Sequence, residues 1–355
     1  MKKEQPRSVD GRPDLRLAAD IGGTFTDVAA FDPATGRIRL GKVPTTPHGF
    51  IDGITAAAAK AGAAFADAGL FLHGSTVAIN SILERTGART ALIVTEGFRD
   101  IYEIGRADRP GAYDLFFRKH VPLVERALRF EVHERVLSDG GVDIPLNDGE
   151  IAALGKRLAG LGIEAVAIMF LNSYRNASHE ARAKALIAAN HPDMFVSASH
   201  ELSREYREYE RCSTVVVNAY LGPKVSGYLS DLAGHLARAG FGGPVLVAQS
   251  TGGVCGAAQA VSQGVRMLES GPAAGVTGAR ALCRALGIDH AVAFDMGGTT
   301  AKAAIIHDGE PLTAGVGFTG SDELPVQIPM IDIVEVGAGG GAIARLEDGA
   351  LRVGP

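Results

Sequence analysis

The sequence predicts an α/β fold organised around two copies of one acidic, glycine-rich hairpin. Three observations lead there. Apolar strand patterns alternate with helical patterns along most of the chain. The pattern Asp-x-Gly-Gly-Thr occurs at residues 20–24 and returns at 295–299. Each copy follows a short apolar run and precedes a second strand-like run.

In chain order, residues 15–20 (LRLAAD) read as a strand, 21–24 as a turn and 25–31 (FTDVAAF) as a second strand. Asp32-Pro33-Ala34-Thr35-Gly36 is a turn signal. Residues 37–43 (RIRLGKV) alternate charged and apolar side chains, as a half-buried strand does, and complete an antiparallel meander. Residues 49–69 are Ala-rich and expected to be helical, 71–74 a short strand, 76–85 a helix and 90–95 (TALIVT) a buried strand. Residues 99–145, rich in Arg, Asp and Tyr, fit the alternation less well and are expected to form an insertion. A helix (148–161), a strand (165–171) and a helix (180–190) stopped by His191-Pro192 follow. From Arg204 a long helix is expected to reach Gly240, with a kink at Gly222-Pro223. A strand at 245–249 and helices at 257–264 and 273–286 lead to the second hairpin. That hairpin reads as strand 291–295, turn 296–299 and strand 300–307, with a turn at Asp308-Gly309 and a third strand within 311–316.

With 355 residues, and about 100–200 per domain, the chain is expected to hold two or three domains. The divisions drawn are a disordered tail (1–14), a domain carrying the first hairpin (15–203) and one carrying the second (204–355). Scattered Lys and Arg and a net charge of −5 argue against a nucleic-acid partner. No stretch approaches 18 consecutive apolar residues, so no transmembrane helix is expected. The tail lacks the apolar segment of a secretory signal. Cys212, Cys255 and Cys283 lie far apart and form no metal-binding spacing; free thiols fit a cytoplasmic protein.

The repeated hairpin carries the chemical argument. Paired glycines let backbone N–H groups approach phosphate oxygens with no Cβ in the way, and they tolerate positive φ. The Thr hydroxyl adds a donor. An Asp at the strand end suits Mg²⁺, which in turn neutralises phosphate charge. One such turn is an ordinary hairpin. Two copies with matching flanks, 275 residues apart, point to related domains gripping the phosphates from both sides. No GK[ST] follows either copy, and the glycines open a strand, so neither is a Walker A loop or a Rossmann fingerprint.

Residues 20–27 (DIGGTFTD) resemble the N-terminal signature of the hydantoinase A/5-oxoprolinase family, which includes acetone and acetophenone carboxylase subunits. HGSTVAIN (73–80), TEGFRDIYEIGR (95–106), REYERCSTVVVNAYL (207–221), ESGPAAGV (269–276), FDMGGTTAKAA (294–304) and MIDIVEVGAGGGA (330–342) agree with it. The resemblance implies the actin-like ATPase fold, in which two ribonuclease-H-like domains flank a nucleotide cleft. It implies ATP and Mg²⁺ as cofactors, phosphorylation of a ring-amide oxygen and hydrolytic opening of that ring. Carboxylase relatives instead phosphorylate an enolate or bicarbonate. A hydantoinase B-type partner and an oligomeric assembly are also implied. By position, Asp20, Gly22, Gly23 and Thr24 would serve the first phosphate hairpin, and Asp295, Gly297, Gly298 and Thr299 the second, with the two aspartates on the metal. Gly339 and Gly340, in the GAGGG segment 337–341, would line the same cleft or form a simple strand-to-helix turn.

Asp27 is either a supporting carboxylate or a surface residue, and Lys302, where many relatives carry Asp, has no assigned role. His73 either faces substrate or is structural. Arg106, Asp108 and Arg109 either hold an anion or form a solvated loop. Glu269-Ser270-Gly271-Pro272 either aims a helix N-terminus at the nucleotide or is an ordinary cap. The chain stops about 60 residues after the second hairpin, so the second domain is expected to be incomplete and the protein truncated. The alternatives to a cyclic-amide hydrolase are an ATP-dependent carboxylase subunit and a non-catalytic nucleotide-binding fragment.

Overall fold

The computed structural model describes residues 15–46, 49–106, 113–116, 121–298, 300–319, 324–347 and 349–354. The expected tail 1–14, Asp108, Arg109 and Thr299 lie outside the described residues.

The chain opens with the expected meander. Leu15–Ile21 (β1), Phe25–Asp32 (β2) and Arg37–Pro44 (β3) pair antiparallel in sequence order. Phe50–Lys60 (α1) covers this sheet with buried Ile54, Ala57 and Ala58. Small residues are required there: a Cβ on Gly41 of β3 would lie 1.9 Å from the Ala57 carbonyl oxygen. Ala68–Ser75 (β4) returns parallel to β1, and Val77–Leu83 (α2) leads away.

A second sheet follows. Thr90–Thr95 (β5) is buried along its whole length, as a strand covered on both faces must be. After Ile101–Ile104 (α3), Arg129–Val132 (β6) pairs parallel with β5. The expected insertion therefore contributes a core strand. A small hairpin of Arg135–Val136 (β7) and Val142–Ile144 (β8) precedes Asp148–Gly160 (α4). Asn147 caps that helix, its Oδ1 accepting from the N–H groups of Gly149 (2.8 Å) and Glu150 (3.2 Å). Ala165–Met169 (β9), Ser178–Asn190 (α5) and Phe195–Ala198 (β10) complete a parallel sheet in the order β10-β9-β5-β6.

Glu208–Arg238 (α6) is one helix of 31 residues that contains Pro223. Its first half, Tyr209 through Gly222, is buried on every face, so this helix is an internal strut packed against β9 and β10. Val245–Ala248 (β11) and Val254–Gly256 (β12) then join the first sheet, whose order becomes β12-β11-β4-β1-β2-β3. The division drawn at residue 204 thus does not separate the sheets, because strands beyond it complete the sheet that holds the first hairpin. Ala257–Ser262 (α7) and Ser270–Leu286 (α8) follow, α8 ending on Gly287 in the left-handed region.

The last sheet is built from Ala291–Met296 (β13), Ala301–His307 (β14) and Glu310–Pro311 (β15). The expected third strand is split. Thr313–Ala314 (β16) pairs elsewhere, with Met330–Ile331 (β19), after Gly317–Thr319 (β17) and Leu324–Val326 (β18) have paired together. Ile333–Val336 (β20) takes the open side of β14 instead. Ile343–Glu347 (β21) and Ala350–Gly354 (β22) form a final hairpin.

A buried charge network locks β9, β10 and α6 together. Glu180, fully buried on α5, accepts from the Phe170 N–H (2.8 Å), Ser173 Oγ (2.8 Å), Ser199 Oγ (2.7 Å) and His200 N–H (2.9 Å). It also pairs with Arg211 of α6 at 3.4 Å. Burial alone would raise its pKa; hydrogen bonds from His200 and Ser199 and the Arg211 charge hold it below the usual value instead. Arg211→Met, which strands this carboxylate, is expected to cost about 3–5 kcal/mol in urea unfolding, and Arg211→Met/Glu180→Gln to recover most of that. Because the folded pKa of Glu180 is depressed, its contribution holds above the unfolded carboxylate pKa and is lost as pH falls through the folded value. Glu180→Gln should therefore flatten the acid limb of the stability profile.

Candidate functional site

The first hairpin is held from three sides. Gly22 N–H donates to the Phe25 carbonyl (2.9 Å) and closes the bend. Thr45, just past β3, donates its N–H to the Thr24 carbonyl (2.9 Å) and its hydroxyl to the Gly22 carbonyl (2.8 Å). Thr76, at the end of β4, donates its hydroxyl (3.1 Å) and its N–H (3.2 Å) to the Ile21 carbonyl. The second hairpin repeats the closure, with Gly297 N–H donating to the Thr300 carbonyl (3.0 Å). The strand registers match as well: Ile21 faces Thr26 as Met296 faces Ala301. None of Gly22, Gly23, Gly297 or Gly298 has positive φ. A Cβ on Gly23 or Gly298 would meet nothing within 4 Å, so neither packing nor backbone conformation among the described residues demands glycine there.

The segment 337–341 buttresses the second hairpin. Gly340 N–H donates to the Gly297 carbonyl and Gly341 N–H to the Gly298 carbonyl, both at 2.9 Å. Those two amides are therefore engaged by the bend itself, and no helix follows: β21 begins at Ile343.

The two strand-end aspartates line one cleft of about 560 Å³. Its walls include Asp20 and Asp27 from the first sheet, Asp295 and Lys302 from the last, and Gly271, Pro272 and Gly275 of α8. The N-terminal turn of α8 reaches Asp20: a Cβ on Gly271 would sit 3.5 Å from Asp20 Oδ1. Gly74 of β4, the register partner of Asp20, is tighter still, since a Cβ there would lie 2.7 Å from the same oxygen. Asp20 meets solvent through the mouth of the cleft, yet protein surrounds it on its other sides. Its pKa is raised, first by burial and then by the Asp27 and Asp295 carboxylates, with Lys42 opposing.

Lys302 donates to Glu269 at 2.9 Å and approaches Glu335 at 3.4 Å. Asp27 is ion-paired with Lys42 at 2.8 Å. His73 is fully buried, bonded to Tyr228 Oη at 2.6 Å, and burial pushes its pKa down to about 4, so the ring is a neutral core group. Arg106 is engaged by Glu210 of α6 through two bonds of 2.8 and 2.6 Å. The three cysteines are free and buried. His290, His307 and Asp308 cluster on the surface, at the end of β13–β14 remote from Asp295. Among the described residues no helix is long and apolar enough to cross a membrane. Sequence reasoning missed Thr45, which carries no motif. It also gave no part to Lys302 or Glu335, whose only signal is their position relative to the repeat.

Residues 16–190 match the family model for the hydantoinase/oxoprolinase N-terminal region, and residues 211–355 match the hydantoinase/oxoprolinase model. An uncharacterised protein of Methanocaldococcus jannaschii is 41% identical over 96% of this chain and 52% of its own length. Caprolactamase subunit alpha of Pseudomonas jessenii is 36% identical over 97% of this chain and 51% of its own. The crystal structure of the ATP-dependent caprolactamase from that organism superposes with a TM-score of 0.82, at 35% identity, over 96% of this chain and 50% of that one. A nucleotide-free acetone carboxylase structure gives 0.80 at 26% identity, over 96% and 51%. The chain spans about half the length of these relatives.

Crowding of carboxylates around Asp20 sets a measurable cost. With its folded pKa raised, Asp20 contributes fully below the unfolded value and loses that contribution as pH rises through the folded one. Without ligand, Asp20→Asn is expected to melt about 1–3 °C above the parent at pH 8, a small gain because the carboxylate touches solvent. Differential scanning fluorimetry at falling pH should show the gap closing.

Proposed function

Starting from the chain's membership of the hydantoinase/oxoprolinase family, we propose that it is the nucleotide-binding part of an ATP-dependent hydrolase that opens a cyclic amide. One observation carries the reading: two hairpins of the same sequence, register and bend closure bring Asp20 and Asp295 to a common cleft, close enough for their charges to interact. On this reading the six-stranded sheet is the first ribonuclease-H-like unit of an actin-like ATPase, and the β13-β14-β20 sheet belongs to the second.

The residues fit such a ligand. Three carboxylates with one ammonium form an oxygen-rich, electron-rich set that suits a hard divalent cation. Mg²⁺ held by Asp20 and Asp295 would supply charge neutralisation to the phosphates. With the Gly22 and Gly297 amides spent on closing their bends, the Gly23 and Gly298 amides would be the ones offered to phosphate oxygens. The N-terminal turn of α8 adds the favourable end of a helix dipole beside Asp20. Gly74 leaves the room that the Asp20 carboxylate occupies beside the cleft.

In the reaction proposed, the ring-amide oxygen takes the γ-phosphoryl group and ADP departs. Water then adds to the activated carbon and the ring C–N bond breaks, giving a free amine and an acyl phosphate, and a second water hydrolyses the acyl phosphate to carboxylate and phosphate. A caprolactam-like ring is favoured over acetone because identity to the caprolactamase, 35%, exceeds that to the acetone carboxylase, 26%. A B-type partner is proposed to complete the ring site.

In isothermal titration with MgATP, Asp20→Ala and Asp295→Ala are each expected to weaken binding at least about tenfold. MgATP turnover retained in both variants would overturn the metal role. Gly74→Ala tests placement separately. The added methyl displaces only the carboxylate tip, so thermal stability should hold within about 1 kcal/mol while MgATP affinity falls. Ring opening of hydantoin, 5-oxoproline and caprolactam, assayed with the B-type partner and with or without bicarbonate, distinguishes hydrolase from carboxylase.

A further inference from the structure

The two hairpins are copies in sequence and bend, but not in charge. Seven residues after each strand-end aspartate, on the facing strand, the first copy carries Asp27 and the second Lys302. The next strand inverts the pair, Lys42 lying beside Asp27 and Glu335 beside Lys302. The cross-strand rows are thus Asp20–Asp27–Lys42 and Asp295–Lys302–Glu335. In the first row the cation is outermost, half-exposed and bonded to Asp27. In the second it stands beside the aspartate and lines the cleft. Lys302 is the one cation among the described residues lining that cleft, which also holds Asp20, Asp27 and Asp295.

We propose that this asymmetry divides the work: the first hairpin adds Asp27 to the metal set of Asp20 and Asp295, and the Lys302 ammonium of the second contacts a phosphate oxygen directly. The inference rests on the nucleotide reading above. Two neighbouring carboxylates repel phosphate and attract a divalent cation, whereas an ammonium does the reverse. Lys302 is held ready by Glu269 (2.9 Å) and Glu335 (3.4 Å), and its flexible four-carbon stem allows the ammonium to swing between those carboxylates and a phosphate. Glu269 immediately precedes the first turn of α8, where the helix dipole favours an anion, so the carboxylate is not left uncompensated when the ammonium turns away.

The test uses the full chain and reads two quantities by calorimetry: the MgATP dissociation constant at saturating Mg²⁺, and the Mg²⁺ concentration for half-saturation at fixed ATP. Lys302→Met is expected to weaken MgATP about tenfold, the value of one charge-assisted hydrogen bond, and to leave the Mg²⁺ midpoint unchanged. Asp20→Asn or Asp27→Asn should move the Mg²⁺ midpoint upward. Lys302→Met/Glu269→Gln removes the stranded carboxylate and is expected to bind as weakly as Lys302→Met, with a melting curve showing that it is folded. Affinity within twofold of the parent in Lys302→Met overturns the proposal. So does affinity restored in the double variant, which would make the lysine a mere counter-ion to Glu269, or a Mg²⁺ midpoint shifted by Lys302→Met as much as by Asp20→Asn. A parent protein that does not bind MgATP removes the nucleotide reading itself, and the inference with it.

Discussion

Asp20 can stand where it does only because its register partner on β4 has no side chain. Gly74 leaves the space that its carboxylate fills, while Gly271 at the start of α8 approaches the same oxygen at ordinary contact distance. That single allowance ties the meander, the parallel return strand and the helix entry to one spot. The rest of the cleft follows from it. Thr45 and Thr76 fix the bend beyond the carboxylate, and the last sheet brings Asp295 to the same cleft, whose lining includes neither pair of bend glycines. There burial, and after it the Asp27 and Asp295 carboxylates, raise the Asp20 pKa.

The fold was legible wherever the information was local. The meander, the buried strand Thr90–Thr95, the helix Asp148–Gly160 and the long helix α6 follow from periodicity and turn residues. Strands β6 and β10 were not found. Each has only four residues, too short a run for periodicity to decide, and each is a strand because a distant parallel neighbour pairs with it. The expected third strand after the second hairpin failed for the same reason: its residues are divided between partners from two separate sheets.

The site was legible in its repeats and opaque in its exceptions. Two Asp-x-Gly-Gly-Thr motifs indicated both aspartates and the bends. Positive φ, expected at their glycines, is absent, and no neighbour crowds Gly23 or Gly298. His73 sits in a conspicuous motif yet is sealed against Tyr228, and the useful residue of that motif is the glycine beside it. Arg106 is taken by Glu210. Such outcomes depend on which side chain arrives opposite, and spacing along the chain does not carry that.

The late arrival of β11 has a consequence for how the molecule is made. Val245 pairs with Phe71 across about 170 residues, whereas the parallel sheet of β5, β6, β9 and β10 lies wholly within that interval. A nascent chain leaving the ribosome therefore exposes every strand of the inner sheet before the outer one gains its closing partner. Until then the edge of β4, and with it the glycine that accommodates Asp20, has an unsatisfied ladder of amides and carbonyls.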